Sequence, residues 1–189
     1  MLACRDQLYF DRVHVFAPIL QKHRYRSWAR KQDKSPQQIC LQYAMWTLAA
    51  SFSSQFHFIR HSLHRDLREL LNALESESQD KQADHYTISI DQVQAWVLLA
   101  LYELTSDTCD YQRGILSAGR AFRLVQMMRL YEVDKTGVSS PNRHAQTSGD
   151  WIAMESMRRT FWLAYTIDRF TSMVDGMHLA FDEQQVRVE

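Results

Sequence analysis

From Val93 to Leu104 the apolar residues fall at Val93, Trp96, Val97, Ala100, Leu101 and Leu104. That three-and-four spacing holds one face of an α-helix against a core, and no strand accommodates it. The same spacing returns in Leu63, Leu67, Leu70, Leu71 and Leu74, and again in Ile115, Ala118, Phe122, Val125 and Met128. Ahead of them, Ile39 to Phe52 is apolar on most faces and reads as a central, largely buried helix. Only 5 Gly and 3 Pro occur among 189 residues, too few for the tight turns of an all-β protein. A chain of this length buries about 70% of its unfolded surface in one domain. The expected fold class is all-α, a single irregular helical domain of about six helices.

Helix boundaries are written locally. Leu8, Phe10, Val13 and Phe16 fit a first helix that Pro18 ends, since proline lacks a donor and disfavours helix at Ala17. Ser35-Pro36 is a start signal, serine as cap and proline preset at the first helical position. Ser89 and Gln92 stand three apart as a capping box, with Ile88 and Val93 placed as its hydrophobic staple. A final long helix runs from Trp151 to Val174, with Ser148 or Asp150 as its cap and Gly176 as its left-handed stop. Gly114 and Gly119 lie inside the helix beginning at Tyr111, where each costs about 1 kcal/mol relative to alanine, so close approach of another helix is the expected compensation. Glu75 to Asp84 reads as a surface loop, and Thr136 to Gly149, within a flexible loop at 135–150, is the densest run of turn formers.

The 22 basic residues balance the 22 acidic ones, so no overall positive field draws the chain to nucleic acid. Cys4, Cys40 and Cys109 never approach the short spacing of a structural zinc site and read as buried reduced thiols. No apolar run reaches the length needed to span a bilayer, so no membrane partner is expected.

Candidate chemistry is sparse. His57, His61 and His64 can share a helix face, yet no carboxylate or cysteine within a turn completes a metal site, and a polar helix face explains them. Ser51, Ser53 and Ser54 near His57 lack the strand-turn-helix elbow of an acyl-transfer nucleophile. No catalytic or cofactor-binding residues are assigned. Gln21 to Lys34 is strongly basic with Tyr25 and Trp28 interleaved. It reads as a solvated loop whose aromatics pack on the domain, in preference to a phosphate-contacting arm, because no base-reading helix follows. In the last helix Arg159, Trp162 and Tyr165 cannot all face water. Some charge there is buried, and a buried arginine persists only with a partner such as Asp168 or Glu103. Asp168, Arg158 and Arg159 are therefore the expected polar tie between helices, with a ligand-sensing pocket as the alternative.

Five strings carry a family resemblance: Tyr9-Phe-Asp-Arg-Val-His, Gln94 to Leu104, Tyr111 to Leu130, Arg158 to Phe170, and Gly176-Met-His-Leu-Ala-Phe-Asp-Glu. In that order, and over nearly the whole chain 1–189, they resemble the middle homology region of fungal zinc-cluster transcription factors. His178 stands where the family commonly has proline. The resemblance implies an all-helical regulatory domain of a nuclear transcription regulator, not an enzyme, acting through protein partners, self-association or a small-molecule effector. It implies DNA binding and zinc only through a separate six-cysteine cluster, which is absent from these residues, and no cofactor in this chain. It also implies a domain that continues past residue 189, so that the chain is a fragment, a truncated product or a stand-alone relative. The runner-up is a helical-repeat adaptor, since Tyr111 to Tyr131 looks like half of a tetratricopeptide unit, but no second copy follows and at least three repeats are needed for stability. A small-molecule-binding domain or an enzyme ranks behind both.

Overall fold

Helix α3 (Pro36–Ser51) begins at a complete capping box, Ser35 Oγ accepting from Gln38 N while Gln38 Oε1 accepts from Ser35 N. It buries residues on nearly every side, from Cys40 and Leu41 to Ala49 and Ala50, because other elements enclose it. The computed structural model describes residues 2–80, 88–107, 111–133 and 151–182. Among these residues seven α-helices make up the architecture: α1 (Leu2–Leu8), α2 (Lys22–Ala29), α3, α4 (Arg60–Asp80), α5 (Ile90–Thr105), α6 (Tyr111–Met127) and α7 (Trp151–Asp175). No strand occurs among the described residues. Helix α3 packs on α4 and α5, α5 pairs with α6, and α7 lies across both α5 and α6.

The capping serine of α5 is in place, Ser89 Oγ accepting from Gln92 N at 3.2 Å. Gly176 ends α7 with φ of +65°, its N–H returning to Ser172 O at 2.9 Å. Helix α6 stops at Met127 because Arg129 turns left-handed, at φ +51°, which drops Leu130 into the core at 2% exposure.

Several expectations are corrected. The first helix divides into α1 and a wide turn, Tyr9–Val13, whose Tyr9 carbonyl accepts from His14 N at 2.9 Å. Phe16 lies on the surface, its ring centroid 5.4 Å from that of Phe52. Residues 22–29 form α2, a helix beyond the six expected, where a loop was expected. Tyr25, Trp28 and Ala29 share one face and are buried, and that burial organises a helix whose arginines stay outside. Residues 75–80 continue α4, because extending a formed helix costs far less than starting one. The remainder of that expected loop, the 135–150 loop, the Ser148 or Asp150 cap and Cys109 lie outside the described residues, as does the side chain of Cys4. Cys40 is buried, and burial pushes its thiol up to about 11, which suppresses the reactive thiolate.

The two glycines of α6 have opposite surroundings. A Cβ on Gly114 would stand 3.0 Å from the backbone nitrogen of Leu104 and 3.1 Å from the carbonyl carbon of Glu103, so this glycine is where α5 and α6 come close. A Cβ on Gly119 would meet nothing within 4 Å, and among the described residues no helix makes the close approach expected there. Gly119→Ala should therefore stabilise the domain by about 0.5–1 kcal/mol. Gly114→Ala should destabilise it by about 1–2 kcal/mol, overpacking outweighing the gain in helix propensity. Denaturant midpoints that move the same way for both variants would contradict this difference in packing.

Candidate functional site

The most concentrated polar chemistry lies beneath the surface between α4, α5 and α6. Glu103 continues the buried face of α5 one turn beyond Ala100 and two beyond Trp96, and its side chain has no exposed surface. Three residues satisfy it. His64 Nε2 lies 2.6 Å from Glu103 Oε1, the guanidinium of Arg68 donates to the same oxygen, and Ser117 Oγ donates to Oε2 at 2.5 Å. Burial raises the carboxyl, but the hydrogen bonds from His64 and Ser117 and the charge of Arg68 outweigh it, leaving Glu103 below the ordinary carboxylate range. It is thus an ionised carboxylate inside a core, tolerable because it is fully hydrogen-bonded.

Asp168 is also buried, at 2% exposure, but its partners differ from those expected. Its carboxylate accepts from Ala180 N at 2.9 and 3.1 Å and from Phe181 N at 3.1 Å. This fastens the chain after Gly176 back onto α6 and α7, where the Phe181 ring lies 5.4 Å from Phe122 and 5.7 Å from Phe161. Arg169 supports the same hook, donating to Phe181 O at 3.1 Å and to Tyr165 Oη at 3.0 Å. Arg158 and Arg159 instead share Glu155, Arg159 Nε at 2.7 Å from Oε1. Their spacing to Glu155, three and four residues, makes this a local pair on one helix face. The expected tie of Asp168 to Arg158 or Arg159 is therefore replaced by two separate contacts.

Two further polar nodes fix the remaining elements. Asp6 Oδ1 accepts from Tyr25 Oη at 2.5 Å and Trp46 Nε1 at 2.7 Å, and Gln42 Nε2 donates to Tyr25 Oη at 2.8 Å. Burial, then the bond to Asp6, drives the Tyr25 hydroxyl well above its ordinary value. Gln94 Nε2 reaches Ile19 O at 3.1 Å, Ser156 Oγ at 2.9 Å and Thr160 Oγ1 at 3.0 Å, tying α5 to α7 and to the segment before α2.

Sequence reasoning named Glu103 only as a possible partner for an arginine. A stronger signal was present: one acid on the apolar face of α5, and His64 with Arg68 four apart on the helix that packs nearby. Of the three candidate histidines, His64 is taken by Glu103, while His57 and His61 are exposed, with His57 in a short turn (His57–Ile59) before α4. Among the described residues no three His, Cys, Asp or Glu side chains gather as a metal site, and no helix is long and apolar enough to cross a membrane.

Two surface grooves stand out. One, of about 230 Å³, is bordered by Pro18, Ile19, Trp151, Ile152 and Arg159. The other, of about 530 Å³, lies along the outer side of α6 between Arg68 and Met177 and includes Leu116, Gly119, Arg120 and Arg123.

Fold and site together define an all-α domain whose buried charges hold helices to one another and whose grooves lie on its surface. The match to the fungal specific transcription factor domain runs over residues 7–189, and the chain belongs to that family, one of transcription factors rather than of enzymes. It is 52% identical to the pigment biosynthesis transcriptional activator of Monascus ruber, over 96% of this chain and 32% of that protein. It is 44% identical to the azaphilone cluster-specific transcription factor of Aspergillus niger, over 95% of this chain and 37% of that protein. With the citrinin biosynthesis transcriptional activator of Monascus purpureus it shares 39% identity over 96% of this chain and 30% of that protein. The chain thus spans about a third of the length of these curated relatives. No solved structure matches it.

Proposed function

We propose that this domain regulates transcription of a set of biosynthetic genes in the nucleus, acting through contacts with protein partners or an effector rather than by catalysis. The observation that carries the reading is the 52% identity, over 96% of the chain, to an activator of pigment biosynthesis. The other relatives named for azaphilone and citrinin biosynthesis support it. Contact with DNA belongs to a six-cysteine zinc cluster outside these residues, since the three cysteines here are widely spaced and the formal net charge is zero. The buried ties of Glu103 and Asp168 are then scaffold, and the surface of α6 and α7 is where partners are met.

Deleting the encoding gene in its fungal host and sequencing transcripts tests this. A coordinated fall in a set of biosynthetic transcripts, restored by complementation, is the expected result. An unchanged transcriptome under conditions in which the gene is expressed would overturn it.

A further inference from the structure

We propose that the outer face of α6 is a docking surface for an acidic amphipathic helix of a protein partner, laid across Gly119. This deepens the regulatory reading and rests on it only for the biological meaning of the partner. Leu116, Gly119, Arg120, Arg123 and Met127 recur at three-and-four spacing and share one face of α6, with Leu116 70% and Met127 60% exposed. Met177, which borders the same groove, is 48% exposed. Large apolar side chains so exposed on one helix face, two of them, Leu116 and Met177, at the groove itself, mark an interaction site.

Gly119 is the second observation. A glycine inside a helix weakens it, and Gly114 has its compensation in the close approach of α5. Gly119 has no such neighbour within the described chain. A helix from elsewhere, crossing at this point, supplies the missing close approach.

Charge decides the chemistry of that helix. Arg68, Arg120 and Arg123 border the groove, and among the described residues no acidic side chain lines it, although Arg68 is already paired with the buried Glu103. Arg123 makes no ion pair or hydrogen bond among the described residues, while Arg120 holds a half-exposed pair with Glu75 at 3.2 Å and lies over the Trp96 ring, 5.0 Å from its centroid. The chain as a whole is neutral, so this positive face is a local arrangement. Arginine forks pair well with carboxylates, and the apolar anchors from Leu116 to Met127 span about 16 Å of helix. That length suits three turns of a partner helix, with acids flanking an apolar stripe. A nucleic acid backbone would leave Leu116, Met127 and Met177 without a complement.

The test uses the whole chain and two labelled synthetic helices of identical leucine pattern, one with Asp and Glu at the remaining positions, the other with Lys and Arg. Fluorescence anisotropy should show saturable binding of the acidic helix, weakened by added salt, and binding of the basic one at least about tenfold weaker. Arg123→Glu and Leu116→Glu should each weaken the acidic helix by about tenfold or more with circular dichroism unchanged. Gly119→Leu should do the same by filling the crossing point while favouring the helix itself. Equal affinity for the two peptides, or acidic-peptide binding that survives all three substitutions, would overturn the proposal. So would binding of decanoate at this groove without binding of the acidic peptide, which would make it a small-carboxylate site.

Discussion

Glu103→Ala should lower the stability of the domain by about 3–5 kcal/mol, because it strands a cationic partner and a serine hydroxyl that only a carboxylate satisfies in that core. Arg68 retains 26% of its side-chain surface, so it can partly turn toward water, and the lower half of that range is expected. Chemical denaturation gives the value, and a shift below about 1 kcal/mol would place Glu103 in the class of exposed pairs. The pH dependence has a defined sign. The carboxyl of Glu103 is held below its ordinary value of 4.5 in the folded protein, so the unfolded chain binds its proton first as the pH falls. Its contribution is therefore complete above about pH 5 and is lost as the pH drops through the depressed folded value. Glu103→Gln should remove that component, leaving a shallower loss of stability on the acid side than in the unmodified protein.

Asp168→Ala is expected to cost about 2–6 kcal/mol, from about 1–3 kcal/mol for each of the two backbone amides it strands. The mechanism makes a comparison with the arginines decisive. Arg158 and Arg159 pair with Glu155 on a partly exposed face, so Arg159→Ala should cost at most about 1 kcal/mol. Equal losses in Asp168→Ala and Arg159→Ala would revive a direct tie between them. The structure also predicts how the Asp168 variant fails: residues 177–182 should become sensitive to protease before the rest of the domain unfolds, because Phe181 loses the anchoring that seats it between Phe122 and Phe161.

Local chemistry wrote much of this fold into the sequence. The capping box at Ser35, the serine cap at Ser89 and the glycine stop at Gly176 act over four or five residues. The stripes of α4, α5 and α6 follow from a fixed helical period, so α3 to α7 were legible without coordinates. The same period identified Leu67, Leu71, Trp96, Val97, Phe122 and Val125 as core. Only tertiary structure turned the basic run 22–29 into a helix, since its propensity is ordinary and the burial of Tyr25 and Trp28 against distant residues decides it. Tertiary structure also chose the partners of the buried charges. A sequence shows that Glu103 and Asp168 stand among apolar residues and must be satisfied. Which group satisfies them depends on atoms 12 to 39 residues away along the chain, brought there by packing, and that choice gave Asp168 to two backbone amides and Glu103 to His64, Arg68 and Ser117. The difference between Gly114 and Gly119 has the same origin: identical residues on one helix, separated only by whether a second helix lies against them.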